Sequence, residues 1–124
     1  MSDCVFCKIV KGEIPSYKIY EDGKYLAFLD IMPCCEGHTL VIPKKHVKWV
    51  WDYEGLGEYF EVVGKIARHL REVSGQEVVR SSILGWDVAH AHIHLKPGKE
   101  NSWNGKKVER EDLEEVWKKY RMKD

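Results

Sequence analysis

No stretch of this 124-residue chain approaches the ~20 consecutive apolar residues that a membrane-spanning helix needs. Its first residues lack the basic segment and long apolar run of a secretory leader, so a cytoplasmic location is expected. Neither sign of charge is in excess. Lys plus Arg and Asp plus Glu each total 20, and the formal net charge of zero gives no bulk polybasic character that would point to nucleic acid. Internal repeats, low-complexity tracts and long linkers are also missing, which leaves a single domain over 1–124 as the expected organisation. Cysteine is scarce, at four residues. A chain of this size can form a core without a disulfide scaffold, so Cys4, Cys7, Cys34 and Cys35 are expected to be reduced thiols.

What the chain does have is histidine in one place. His90-Ala91-His92-Ile93-His94-Leu95 holds half of its six histidines at strict alternation. In an extended strand alternate side chains share a face, so the three imidazoles are expected on one side and Ala89, Ala91, Ile93 and Leu95 on the other.

Around this run the pattern reads as α+β. A short helix is expected over Phe6 to Lys11, closed by Gly12 and broken by Pro15. Tyr17–Tyr20 and Tyr25–Asp30 read as a hairpin about Glu21-Asp22-Gly23, and His38–Ile42 as a central strand stopped by Pro43. From Leu56 to Val73 apolar residues recur at three- and four-residue steps, marking a long helix that Gly75 ends. Val78–Leu84 and Val88–Leu95 supply the last two strands. A charged helix with an apolar stripe of Leu113, Val116, Trp117 and Tyr120 is expected near Glu111 to Arg121. Its basic residues Lys106, Lys107, Arg110, Lys118, Lys119 and Arg121 interleave with acids, as on a solvated face.

Two chemistries compete for the histidines. Cys4-Val5-Phe6-Cys7 has the spacer of a zinc knuckle or a redox pair, with two buried small hydrophobes as the bland alternative. His46 is a plausible third ligand, and one histidine of the triad could be the fourth. His69, inside the long helix, reads as a surface or packing residue. A neutral imidazole is also a competent nucleophile toward phosphorus when its second nitrogen is held by an acceptor, with a neighbouring imidazole binding phosphate oxygens. A three-histidine metal centre activating water fits poorly, because the outer pair of an alternating triad would lie ~13 Å apart.

The run ending in Lys96 resembles the histidine-triad motif, His-φ-His-φ-His-φ-φ, of the HIT family, with Lys96 departing from φ at the last position. The segment 4–16, the stretch Leu26-Ala27-Phe28-Leu29-Asp30-Ile31 and the stretch 37–46 are similar to the family's N-terminus and nucleotide-binding half, so that the likeness covers about residues 4–98. The resemblance implies a five-stranded, mostly antiparallel sheet with one long helix, and a homodimer. It implies hydrolysis or transfer of nucleoside monophosphates from dinucleoside polyphosphates, phosphoramidates or adenylylated compounds, through a nucleotidyl-histidine. By position His92 would be the nucleophile, and His94 and His38 would meet the phosphate or leaving group. Asp30 would take the ribose hydroxyls, and Val5, Phe6, Phe28 and Ile31 would enclose the purine. Structural Zn2+ would sit on Cys4, Cys7, His46 and His90. The alternative is a zinc-stabilised purine nucleotide-binding module with little turnover.

Two positions depart from the family pattern. Gly98 stands where Arg commonly follows the proline after the triad. Asp87 stands where a small hydroxyl residue often touches phosphate, after Trp86 in place of Gln. A carboxylate facing a phosphate at 4 Å would repel it by about 1–4 kcal/mol. Asp87 must therefore turn away, pair with a cation or imidazolium, or mark a different substrate.

Overall fold

The structure, a computed structural model, describes residues 3–100 and 112–122. Its centre is a five-stranded antiparallel sheet in the order β1-β2-β3-β5-β4, formed by β1 (Lys18–Glu21), β2 (Tyr25–Leu29), β3 (Thr39–Pro43), β4 (Val79–Ser82) and β5 (Ile93–Pro97). Among the described residues three α-helices accompany it: α1 (Val5–Val10), α2 (Leu56–Ser74) and α3 (Leu113–Tyr120). The α+β architecture expected from the sequence is the one observed. Among the described residues no helix is long and apolar enough to cross a membrane. Lys106, Lys107, Arg110 and Glu111 lie outside the described residues.

The sheet is covered on both faces, which is why β2 and β3 are buried at every position. Tyr25, Ala27 and Leu29 of β2, Val41 of β3 and Ile93 and Leu95 of β5 face α2 and α3. There they pack with Tyr59, Val63, Ile66, Leu70, Leu113, Val116 and Tyr120. The intervening Leu26 and Phe28 of β2 and Leu40 and Ile42 of β3 point the other way, onto Phe6 and Ile9 of α1. This period-2 split hands one sheet face to the large helical core and the other to α1, and the second face is where the histidines emerge.

Local chemistry sets the connections. Asp22 Oδ1 accepts the amides of Lys24 (2.7 Å) and Tyr25 (2.8 Å), closing the β1–β2 turn. Gly75, with φ +72°, ends α2 in the left-handed conformation. Gly37 combines φ +85° with a close approach, since a Cβ there would lie 2.9 Å from Cε2 of Tyr120. α3 is docked against that spot and tied down further: Lys119 Nζ meets the buried Glu36 at 2.8 Å, and Trp117 Nε1 donates to the Lys18 carbonyl at 2.7 Å. His69 on α2 bonds the Tyr120 carbonyl, so this packing residue joins two helices. Tyr120 and Trp117, expected on the apolar stripe of this helix, engage their own domain.

The last strand is shorter than expected. It begins at Ile93, not Val88, so His90 and His92 precede it and only His94 lies in the ladder. Pairing on β3 ends at Val41↔Ile93 and on β4 at Ser82↔His94. Upstream, Gly85 (φ +90°) turns the chain beside Trp49, and the Ala91 amide bonds the Val47 carbonyl at 2.6 Å, beyond the proline that closes β3. The alternation of faces nevertheless persists through this unpaired stretch. Ala91, Ile93 and Leu95 join the α2 core and the three histidines face away from it, whereas Ala89 is exposed.

Candidate active site and metal centre

His90 faces the N-terminal turn of α1. The Cys-x-x-Cys spacing puts Cys4 at the helix cap, where its sulfur accepts the Cys7 amide at 3.4 Å, and Cys7 one turn on. The His90 Nδ1 atom lies 3.4 Å from Cys4 Sγ and 3.6 Å from Cys7 Sγ, while His46 Nδ1 lies 3.2 Å from Cys7 Sγ. All four donor atoms fall within 4.8 Å of one another. Tetrahedral zinc with bonds of about 2.3 Å to sulfur and 2.05 Å to nitrogen sets sulfur–nitrogen edges of about 3.5 Å. The three observed separations bracket that edge, so the residues fit the ion. The Nε2 atom of His90 is 2.8 Å from the Pro43 carbonyl, which takes its proton and leaves Nδ1 bare toward the cysteines. Without a metal, burial and the neighbouring Cys4 push the Cys7 thiol up, a cost that a cation in the cluster would relieve.

Two residues on, the His92 ring is oriented by its neighbour's backbone. Its Nδ1–H donates to the His90 carbonyl at 2.7 Å, and its Nε2 edge opens toward a cavity of about 380 Å³. That cavity is lined by Val5, Phe6, Phe28, Asp30, Ile31, His92 and His94 among others. Every residue expected to contact base or ribose is therefore on its wall, as are two of the three expected catalytic histidines. Phe6 packs edge-on against His92, with ring centres 5.2 Å apart, and against Phe28 at 5.5 Å.

His38 sits one shell behind the wall, and the hydrogen bonds around it fix a chain of tautomers. The Cys34 amide donates to His38 Nδ1 at 3.2 Å, so His38 carries its proton on Nε2. That proton goes to His94 Nδ1 at 2.9 Å, with Asp30 Oδ2 at 3.5 Å from the same nitrogen. His94 must then hold its own proton on Nε2, and this buried N–H has no hydrogen-bond partner. A buried donor without a partner is a group that an anion could satisfy, and an Asp87 oxygen stands 3.9 Å from it, beyond hydrogen-bond reach. Cys34, expected from sequence only to be a reduced thiol, thus positions His38 through its backbone, a contact that no residue pattern announces.

Asp87 is the other residue whose position sequence left open. Its carboxylate oxygens lie 3.2 and 3.3 Å from His92 Nε2 and 3.9 Å from His94 Nε2. It does not turn away; it caps the triad. Burial raises its carboxyl pKa, but the His92 charge and the local hydrogen bonds outweigh burial and hold it below the usual carboxylate range. Two further groupings, Asp30–His38–His94 and Asp87–His92–His94, are as compact as the cysteine cluster; in the first the ring nitrogens meet each other beside Asp30, and in the second His92 Nε2 meets Asp87 while His94 Nε2 has no hydrogen-bond partner.

The HIT domain family matches residues 11–101. Protein hit of Bacillus subtilis is 45% identical over 102 residues, covering 77% of this chain and 70% of that protein. Adenosine 5'-monophosphoramidase HNT1 of Candida albicans is 38% identical over 112 residues, covering 82% and 74%. A crystal structure of a zinc-bound histidine triad family protein from Mycobacterium smegmatis superposes with a TM-score of 0.80 at 36% identity, covering 97% of this chain and 91% of that one. This chain belongs to the HIT family.

The buried histidines carry a pH dependence. Desolvation, opposed by Asp30 and reinforced by His94, pushes His38 down to about 4 from an ordinary value of 6.5. Below pH about 6.5 the unfolded chain takes up this proton and the folded chain does not, so stability present above that value is lost as pH falls toward 4. The loss amounts to about 3 kcal/mol at most. Urea unfolding between pH 7 and pH 4 should show this slope in the wild type and a shallower one in His38→Asn. Equal slopes would contradict it.

Proposed function

We propose that this protein is a nucleotide hydrolase or nucleotidyl transferase that cleaves purine nucleotide derivatives at the α-phosphate through a covalent bond to His92. The observation that carries the reading is the His92 ring itself: its Nδ1 is tied to the His90 carbonyl and its Nε2 edge faces the cavity of Phe6, Phe28, Asp30 and Ile31. A base between Phe6, Phe28, Val5 and Ile31, and a ribose on Asp30, would bring the α-phosphorus to that edge. The free Nε2–H of His94 is then available to a phosphate oxygen, and His38 orients His94 from behind. The lone pair on Nε2 forms the nitrogen–phosphorus bond while the bond to the leaving atom breaks. That pair stays on the leaving group, which takes a proton from water. Water oxygen next attacks phosphorus, the nitrogen–phosphorus pair returns to His92, and a nucleoside monophosphate and a proton are released. Phosphoramidates are the favoured class, in keeping with the name of the Candida relative.

His92→Asn should lower kcat/KM for adenosine 5'-monophosphoramidate by about 10⁴-fold or more while leaving AMP binding measurable by calorimetry. Comparable turnover by the two proteins would reject the mechanism. Saturable binding with no turnover by the wild type would favour the alternative of a binding module.

We further infer a structural zinc on Cys4, Cys7, His46 and His90, as the donor set and its spacings suit that ion. It would contribute rigidity, holding α1 and the His90 backbone in place. Metal analysis of the purified protein should give one zinc per chain. Cys7→Ser should lose it and melt about 10 °C lower, whereas full zinc retention in that variant would contradict the assignment.

A homodimer in the cytoplasm completes the reading. The β1 edge of the sheet is covered, because the Trp117 ring and the Met122 amide bond the carbonyls of Lys18 and Ile19. The other edge is β4, flanked by the exposed Val78, Leu84 and Trp86. Sedimentation at micromolar concentration should return the mass of two chains, and a monomer throughout would refute this part.

A further inference from the structure

We propose that Asp87 selects the leaving group by charge: its carboxylate, set against the attacking edge of His92, favours nucleotide derivatives that release a cationic amine and disfavours those that release an anionic polyphosphate. The inference rests on the reading of His92 given above. In any near-attack pose the α-phosphorus lies about 3–3.5 Å from His92 Nε2. The Asp87 oxygens already stand 3.2 and 3.3 Å from the same nitrogen. The phosphoryl group and what leaves from it therefore have this carboxylate as an immediate neighbour. The side chain is 37% exposed, so it has room to swing off the nitrogen as phosphorus arrives, without leaving the site.

The surroundings add to the selection. Asp87 lines two cavities at once, the one that holds Phe6, Phe28 and Asp30 and a second of about 380 Å³ bounded by Asp3, Cys4, Val5, His46, Val88 and Ala89. Among the described residues neither wall contains a lysine or arginine, while Asp3, Asp30 and Asp87 contribute three carboxylates. Lys96 and Arg80, whose charges reach His38, line neither cavity. Among the described residues no lysine or arginine along these walls neutralises a polyphosphate, and the group nearest the reacting centre would repel one. A leaving group carrying an ammonium finds the opposite field. The chemistry of the step is unchanged: the pair from the broken phosphorus–nitrogen bond stays on nitrogen, which takes a proton from water, and a second, distant amine supplies the positive charge that Asp87 reads.

The test compares kcat/KM for three AMP derivatives: the phosphoramidate of 1,3-diaminopropane, that of propylamine, and diadenosine tetraphosphate. The wild type should prefer the diamine compound to the propylamine compound by about tenfold, the effect of one unit charge some 6 Å from the carboxylate in a partly screened site. It should rank the polyphosphate last. In Asp87→Asn and Asp87→Ser the first ratio should fall to near one, and the polyphosphate should gain at least tenfold on the propylamine compound. Unchanged ratios in both variants, even with all rates lowered, would overturn the proposal and reduce Asp87 to a support for His92. A binding arm, run with every protein carrying His92→Asn so that the ligands stay intact, reads the same charge discrimination without turnover. Asp87→Asn should tighten AMP, a dianion, about tenfold more than adenosine 5'-monophosphoramidate, a monoanion, and equal tightening of the two would likewise overturn it. Failure of the His92 reading looks different, because His92→Asn would then turn these compounds over as well as the wild type does.

Discussion

One residue, His90, holds both halves of the site in register. Its ring touches the two cysteines of α1 through Nδ1 and the end of β3 through Nε2, and its backbone carbonyl takes the proton of His92 Nδ1. The ring of His92 is therefore oriented by a main-chain atom whose own residue is pinned at its side chain. A free carbonyl in an unpaired stretch would be a poor anchor, since residues 88–92 lack the ladder that holds β5. Pinning the His90 ring compensates for that missing ladder. The arrangement separates structural from chemical roles between adjacent members of one motif, and it places the attacking edge without asking His92 to contact the metal-type cluster.

The sheet supplies the other constraint. Because β2, β3 and β5 are buried on both faces, the register that sends Val41, Ile93 and Leu95 into the α2 core sends Leu40, Phe28 and His94 toward α1. A slip of one residue would exchange these sets and bury the imidazoles among aliphatic side chains. The large core thus guarantees the position of the small one, in which Phe6 and Phe28 form a wall beside the histidines. α3 adds to this guarantee from outside. Tyr120 fits against Gly37 and Lys119 pairs with the buried Glu36, so the loop that delivers His38 is braced at the residues just before it.

Much of this was legible in the residues alone. Alternation of histidine with Ala91, Ile93 and Leu95 announces two faces whether or not the ladder extends to His90, which is why the face assignment survives the later start of β5. The apolar steps from Leu56 to Val73 and the stops at Gly75 and Pro43 belong to short-range chemistry, and the long helix and central strand follow them closely. The contacts that sequence leaves open are those made by backbone atoms or by residues distant along the chain. Cys34 acts on His38 through its amide, and no side-chain pattern encodes that. Asp87 is conspicuous as an acid near an expected phosphate, but its partner depends on how the turn at Gly85 folds.

The central claim is that His92 offers Nε2 to the nucleotide because His90 holds Nδ1. Long-range 1H–15N correlation of histidine-labelled, zinc-loaded protein, recorded well above the ordinary imidazole range of about 6.5, reads this directly. The account predicts that His92 carries its single proton on Nδ1 and has an unprotonated Nε2. A His92 protonated on Nε2 with a bare Nδ1 would contradict it.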